Sequence, residues 1–125
     1  MIIDTNALSA LADGDPAIEP ALRRASIIAL PVVVLGEYRY GIGQSRNRTR
    51  YERWLEESLP GFQILDIDEQ TTHDYAAIRS QLKRSGRPIP ANDVWIAALA
   101  KQHDLSLLSR DVHFDHVPGL ERVNW

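Results

Sequence analysis

The chain has 125 residues, a formal net charge of -3 at pH 7 and no cysteine. That length supports one hydrophobic core rather than two, and the lack of cysteine excludes disulfides and thiolate metal sites, leaving carboxylate and imidazole as the strong side-chain ligands. The mild acidity argues against a nucleic-acid coat protein, and with no apolar run of about twenty residues and no secretory signal pattern the expected location is cytoplasmic.

Met1, Ile2 and Ile3 make an apolar run too short for anything but a buried strand, ending in Asp4-Thr5-Asn6 before a helix over 7–12. Asp13-Gly14-Asp15-Pro16 stops that helix and starts another: Asp15 is the N-cap, Pro16 takes the first helical position, and Asp13 reads as a capping residue too. The second helix runs to about residue 25, and the compact apolar run 26–30 is a second strand. Pro31-Val32-Val33-Val34-Leu35 reads two ways. Its β-branched residues favour a strand, whereas proline cannot donate within a central strand and is at home opening a helix.

Residues 44–58 have helical spacing, and Arg46, Arg50, Arg53 and Trp54 share one face by the three-and-four rule. That face is either a surface for RNA phosphates with an aromatic ring to stack on a base, or a solvated face pairing with Glu56 and Glu57. After Pro60-Gly61, the alternating run 62–67 reads as a sheet-edge strand, with Asp66 and Asp68 as strand-end and N-cap residues. A long helix over 68–85 stops at Gly86.

Pro90 opens the next helix, which is apolar at every position from Val94 to Ala100 and so buried on most sides. Asp93, in its first turn, is the only charged residue between Arg87 and Lys101. The helix dipole favours an anion there by roughly 0.3–1 kcal/mol, enough to account for Asp93 alone. The buried strand 105–109 then delivers a second acid, Asp111, just past its carboxyl end, where sites collect in open α/β sheets. His113 and His116 lack a third ligand for zinc, while Asp115 is a candidate extra acid. With a final strand over 120–125, strands alternate with helices throughout. That order defines an α/β fold, a three-layer α/β/α sandwich with a mainly parallel central sheet and one domain over 1–125.

Ile3-Asp4-Thr5-Asn6, Glu37 in Leu35-Gly36-Glu37-Tyr38-Arg39-Tyr40-Gly41, Asn92-Asp93-Val94-Trp95-Ile96-Ala97-Ala98, and Leu107-Leu108-Ser109-Arg110-Asp111 resemble the four acidic motifs of PIN domains. Their order and the closing segment 114–125 are most similar to VapC-type toxins of bacterial toxin–antitoxin pairs. The resemblance favours the helix over 31–41, which sets Glu37 among apolar neighbours, where a ligand role or an ion pair with Arg39 relieves the cost of its charge. It also implies RNA as substrate, a cognate small antitoxin as partner and a homodimer.

Asp4, Glu37, Asp93 and Asp111 come from four separate elements, and bringing them together without counter-charge is electrostatically unfavourable. Oxygen ligands alone suit Mg²⁺ or Mn²⁺, which makes metal-assisted phosphodiester hydrolysis the expected chemistry. Thr5, Asn6, Asn92 and Ser109 are the candidates for orienting the acids or water, though Thr5 and Ser109 can equally cap neighbouring turns. A non-catalytic RNA- or antitoxin-binding module, or a DNA-directed nuclease of the same fold, are the alternative readings.

Overall fold

Apolar runs of two or three residues must be covered on both faces, and parallel pairing needs a crossover between successive strands. The computed structural model, which describes residues 1–125, satisfies both conditions. The strands β1 (Ile2–Ile3), β2 (Ala29–Pro31), β3 (Gln63–Leu65), β4 (Leu107–Leu108) and β5 (Arg122–Val123) form one sheet in the order β3-β2-β1-β4-β5, with every pairing parallel. The helices α1 (Thr5–Ala12), α2 (Glu19–Leu22), α3 (Val32–Gly43), α4 (Arg48–Ser58), α5 (Glu69–Arg84) and α6 (Ala91–His103) flank it, giving the expected α/β/α sandwich. None of them is long and apolar enough to cross a membrane.

β1 and β4 lie at the centre, and Ile2, Ile3, Leu107 and Leu108 are fully buried. They belong to a hydrophobic cluster of 25 buried residues to which α6 contributes Val94 and every residue from Ile96 to Ala100. A helix apolar on nearly all sides can only sit inside the molecule. Its end is closed by Asp104, whose left-handed backbone (φ 52°) is a conformation that aspartate tolerates better than most residues.

Several boundaries differ from the sequence reading, each for a local reason. Pro31 is both the last residue of β2 and the residue before α3. It pairs with Leu65 of β3 but lies beyond the single registered pair between β2 and β1, so its missing N–H interrupts no ladder at the sheet centre. The second helix is a 3-10 turn (Pro16–Ile18) followed by the four-residue α2. The helix expected from residue 44 starts at Arg48, because a turn closed by the Asn47 N–H donating to Ser45 Oγ (3.1 Å) comes first.

α5 and α6 are joined by a polar knot at their edge. Asp68 caps α5 in a capping box with Thr71, and the buried Thr71 hydroxyl donates to Gln102 Oε1 of α6 at 2.6 Å. Gln102 Nε2 returns a hydrogen bond to Asp68 Oδ1 at 3.1 Å. One turn along, Tyr75 and Trp95 stack with centroids 3.9 Å apart. Thr71→Val keeps the shape of the side chain but leaves the Gln102 carbonyl and the Asp68 N–H without their partner. It is expected to destabilise the chain by about 1–3 kcal/mol in urea unfolding; an unchanged midpoint would show that the knot contributes nothing.

Candidate active site

The chain leaves β1 toward β2 and leaves β4 toward β5, in opposite directions, so the carboxyl ends of the two central strands border a crevice. Asp4 immediately follows β1 and caps α1, with Oδ1 accepting the Thr5 N–H at 2.8 Å. Only 5% exposed, it also accepts the Ser109 hydroxyl at 2.6 Å and Asn6 Nδ2 at 3.3 Å through Oδ2. Ser109, directly after β4, in turn accepts the Asp111 N–H at 3.0 Å. A single hydroxyl therefore ties the ends of both central strands to two acids.

Glu37 reaches the crevice from α3. Its Oε2 accepts the Thr5 hydroxyl at 2.8 Å and its Oε1 accepts Asn92 Nδ2 at 3.0 Å, the latter from the start of α6. No ion pair to Arg39 forms. Asp93 stands one residue on from Asn92, partly buried in the first turn of α6. Asp111 caps the 3-10 turn Val112–His116, with its carboxylate accepting the His113 N–H at 2.9 Å. That turn folds back on itself and brings His113 Nδ1 to 3.1 Å from Asp111 and 4.0 Å from Asp93. One ligand atom each from Asp93, Asp111 and His113 fall within 4.8 Å of one another.

The electrostatics register the convergence. Burial, and then the charges of Asp4, Asp111 and Glu37, push the Asp93 carboxyl up to about 6, opposed in part by His113. Asp4 is also raised, chiefly by burial, although the Ser109 and Thr5 hydrogen bonds pull the other way. No lysine or arginine forms an ion pair with any of the four acids, and His113 is the one potentially cationic partner. Carboxylates held by polar side chains and left without counter-charge are a donor set suited to a hard divalent cation.

Asp4, Glu37, Asp93 and Asp111 thus meet, and Thr5, Asn6, Asn92 and Ser109 each contact at least one of them. Asp115 does not join them. Its carboxylate makes a bidentate pair with Arg122 of β5 (2.7 and 2.9 Å), which holds it well below the usual carboxylate range. Arg122 Nη1 also donates to the Ser109 carbonyl at 3.0 Å, so Asp115 braces the strand end that carries the site. Arg46 lies in the turn before α4, so the single helical face expected for Arg46, Arg50 and Arg53 reduces to Arg50 and Arg53; all three are exposed, and none is ion-paired to Glu56 or Glu57. His113 was not placed at the acids by sequence. The available pointer was its position two residues after Asp111, where a capped turn returns the side chain to its cap.

The chain belongs to the PIN domain family, whose match spans residues 1–120. It is 34% identical over 94 residues to ribonuclease VapC4 of Mycobacterium tuberculosis, covering 74% of this chain and 72% of that one. It is 38% identical over 91 residues to toxin FitB of Neisseria gonorrhoeae, covering 67% and 65% respectively. Among solved structures, the crystal structure of VapBC2 from Rickettsia felis bound to a promoter DNA fragment contains a chain that superposes with a TM-score of 0.89 at 25% identity, over 99% of this chain and 97% of that one.

The raised Asp93 carboxyl carries a stability consequence with a definite sign. The metal-free native state holds this proton to about pH 6, whereas the unfolded chain loses it near the ordinary value of 3.8, so this group's contribution to stability falls as pH rises between those limits and stays low above them. Asp4 adds to the trend. Asp93→Asn removes the charge and keeps the shape. Its melting temperature in EDTA should therefore exceed that of the wild type by a margin that grows from about pH 4 to about pH 6 and then levels off. A margin independent of pH would mark Asp93 as an ordinary helix-start residue.

Proposed function

We propose that this chain is a metal-dependent endoribonuclease that acts as the toxin of a toxin–antitoxin pair, hydrolysing RNA phosphodiester bonds at the acidic crevice. The observation that carries this reading is the convergence of Asp4, Glu37, Asp93 and Asp111 with no lysine or arginine paired to them. The ribonuclease and toxin names borne by its relatives agree with it. On this reading the chain works in the cytoplasm as a homodimer, with a small antitoxin as its protein partner.

Asp4 and Asp111, at the two strand ends, are assigned direct contact with Mg²⁺ or Mn²⁺, with Glu37 and Asp93 completing the oxygen set and His113 beside it. The chemistry such an ion supplies when bound is stabilisation of charge on the phosphate and leaving oxygen and activation of the attacking water. The chain's own residues provide the rest. Ser109 and Asn6 fix the orientation of Asp4, and Thr5 and Asn92 hold both oxygens of Glu37, so the acids are in place before substrate arrives. Arg46, Arg50 and Arg53, exposed on and before α4, supply phosphate contacts along the incoming strand.

Purified protein is expected to cut total RNA with Mg²⁺ or Mn²⁺, to be silent in EDTA, and to be silenced by the antitoxin encoded beside it. Ser109→Ala should lower metal affinity or activity about 10–100-fold, because Asp4 loses its shortest hydrogen bond. Cleavage that persists in EDTA, or that is confined to DNA in parallel reactions, sinks the proposal.

The arginines have a test of their own. Replacing Arg46, Arg50 and Arg53 together by alanine should weaken RNA binding across sequences. It should also reduce the slope of log affinity against log salt by about 0.7 for each phosphate of a single strand that is no longer neutralised. Fluorescence anisotropy at several salt concentrations reads both. An unchanged slope means that these arginines only solvate the surface.

A further inference from the structure

Residues 75–92 hold four of the chain's 14 lysines and arginines, Arg79, Lys83, Arg84 and Arg87, and no aspartate or glutamate. Residues 44–58, by contrast, interleave four arginines with Glu52, Glu56 and Glu57, and Arg48 is already paired with Glu52. All four cations of the 75–92 stretch are exposed, and none of them forms an ion pair. The dipole of α5 accounts for Lys83 and Arg84, which lie in its last turn. It accounts neither for Arg79, further back in the helix, nor for Arg87, beyond its end.

Two of these cations line a groove of about 340 Å³. Its lining is Arg79 and Lys83 of α5, Pro88 and Ile89 of the connector, and the buried Leu82 and Val94 beneath them. Thr71 meets Gln102 and Tyr75 meets Trp95, so α5 and α6 run antiparallel and the C-terminal half of α5 lies against the first turns of α6. Val94 directly follows Asp93, and Asn92 just before them is the partner of Glu37. The groove therefore runs beside the helix start that brings acids to the crevice. Arg79 is held in place there: its guanidinium sits 5.8 Å from the Tyr75 ring centroid and its Nη1 donates to the Tyr75 hydroxyl. The other N–H groups of the fork remain for an outside acceptor. Lys83 follows by four residues on the same helix face, about 6 Å further along the axis, a spacing on the order of one nucleotide of an extended strand.

We propose that this groove and the cations around it carry the RNA strand on the α6 side of the crevice, an inference that rests on the ribonuclease reading above. Charge complementarity commits the surface to a polyanion. The chain as a whole is acidic, at -3, and the crevice itself repels phosphate until a cation is bound, so a polyanion needs a footing elsewhere. Four unopposed cations beside the crevice supply it. The mixed lining fits a single strand, with phosphates on Arg79 and Lys83 and a ribose or base against Pro88 and Ile89. Arg84 and Arg87, outside the lining, extend the positive surface around the end of α5.

Fluorescence anisotropy of a labelled single-stranded RNA with metal-free protein, at several salt concentrations, tests the proposal. Replacing Arg79, Lys83, Arg84 and Arg87 together by glutamine should weaken binding about tenfold or more at low salt. It should also reduce the slope of log affinity against log salt by about 0.7 for each phosphate released, or about 2.8 if all four are engaged. Lys83→Arg should bind as the wild type does, and Lys83→Glu more weakly than Lys83→Gln, an order set by charge and not by packing. Melting temperatures verify that each variant is folded. With Mg²⁺ or Mn²⁺ present, the loss of activity in the fourfold variant should fall on KM rather than on kcat, because contacts remote from the acids hold substrate and transition state alike. RNA binding that depends on the four cations in a protein that cuts no RNA would uphold the surface and defeat the ribonuclease reading. Unchanged affinity and slope in the fourfold variant, or wild-type protein that holds no RNA at low salt, would overturn the inference. So would a fourfold variant that binds RNA normally and loses only self-association or its antitoxin, because the surface would then belong to a protein partner.

Discussion

The hydroxyl of Ser109, 2.6 Å from Asp4 and 3.0 Å from the Asp111 N–H, joins the two halves of this molecule at the point where their separation matters most. β1 and β4 are neighbours in the sheet, yet the chain reaches one from the other only after passing through β2, β3 and the long α5–α6 pair. Sheet pairing brings the strand ends to the right distance, and the hydroxyl sets the direction of the acids that follow them. Asn6 strengthens the junction by contacting Asp4, Ser109 and the Arg110 N–H with a single side chain. On the far side Arg122 grips the Ser109 carbonyl, with Asp115 locking Arg122 in place. The acids stand on this frame, and none of them positions itself.

Such a frame is needed because the acids oppose it. Carboxylates gathered at a buried strand end repel one another, and burial adds a further cost to each charge. The raised Asp93 and Asp4 carboxyls show where that opposition falls. Thr5, Asn6, Asn92 and Ser109 are short, neutral donors. They satisfy carboxylate oxygens without cancelling the charge, as a lysine or arginine would. A crevice built this way keeps its negative potential for a cation, and its stability without one is lower in consequence.

Much of this was legible in the sequence, and the failures share one cause. Asp4, Asp93 and Asp111 stand at the ends of elements whose type is set by local composition: a three-residue apolar run, a proline-led alanine-rich helix, and a Leu-Ser-Leu-Leu-Ser strand. Position at the end of such an element is itself the clue to the crevice. Glu37 needed the family resemblance, because Val32-Val33-Val34 is ambiguous between helix and strand until Pro31 is seen to close β2 and precede α3 at once. Asp115 and His113 were left open because their partners are fixed by tertiary structure, and the capping role of Asp13, which does close α1, gave no sign of its side-chain partner. Tyr51 comes to Asp13 from α4, Arg122 comes to Asp115 from β5, and a 3-10 turn with no strong sequence pattern returns His113 to Asp111. Arg46 falls outside its expected helix face because of a turn that ends one residue before α4 begins.

The parallel sheet that starts at its own centre has a consequence for the order of synthesis. Ser109 follows Asp4 by 105 positions, and β1 waits between β2 and a strand not yet made. A ribosome delivering this chain therefore releases the acid at the heart of the crevice 105 positions ahead of the hydroxyl that orients it. Until β4 and the turn after it have emerged from the exit tunnel, no set of acids exists to capture a metal ion. A nascent copy without β4 lacks the junction that orients Asp4, and the crevice is completed in one step when that strand pairs with β1.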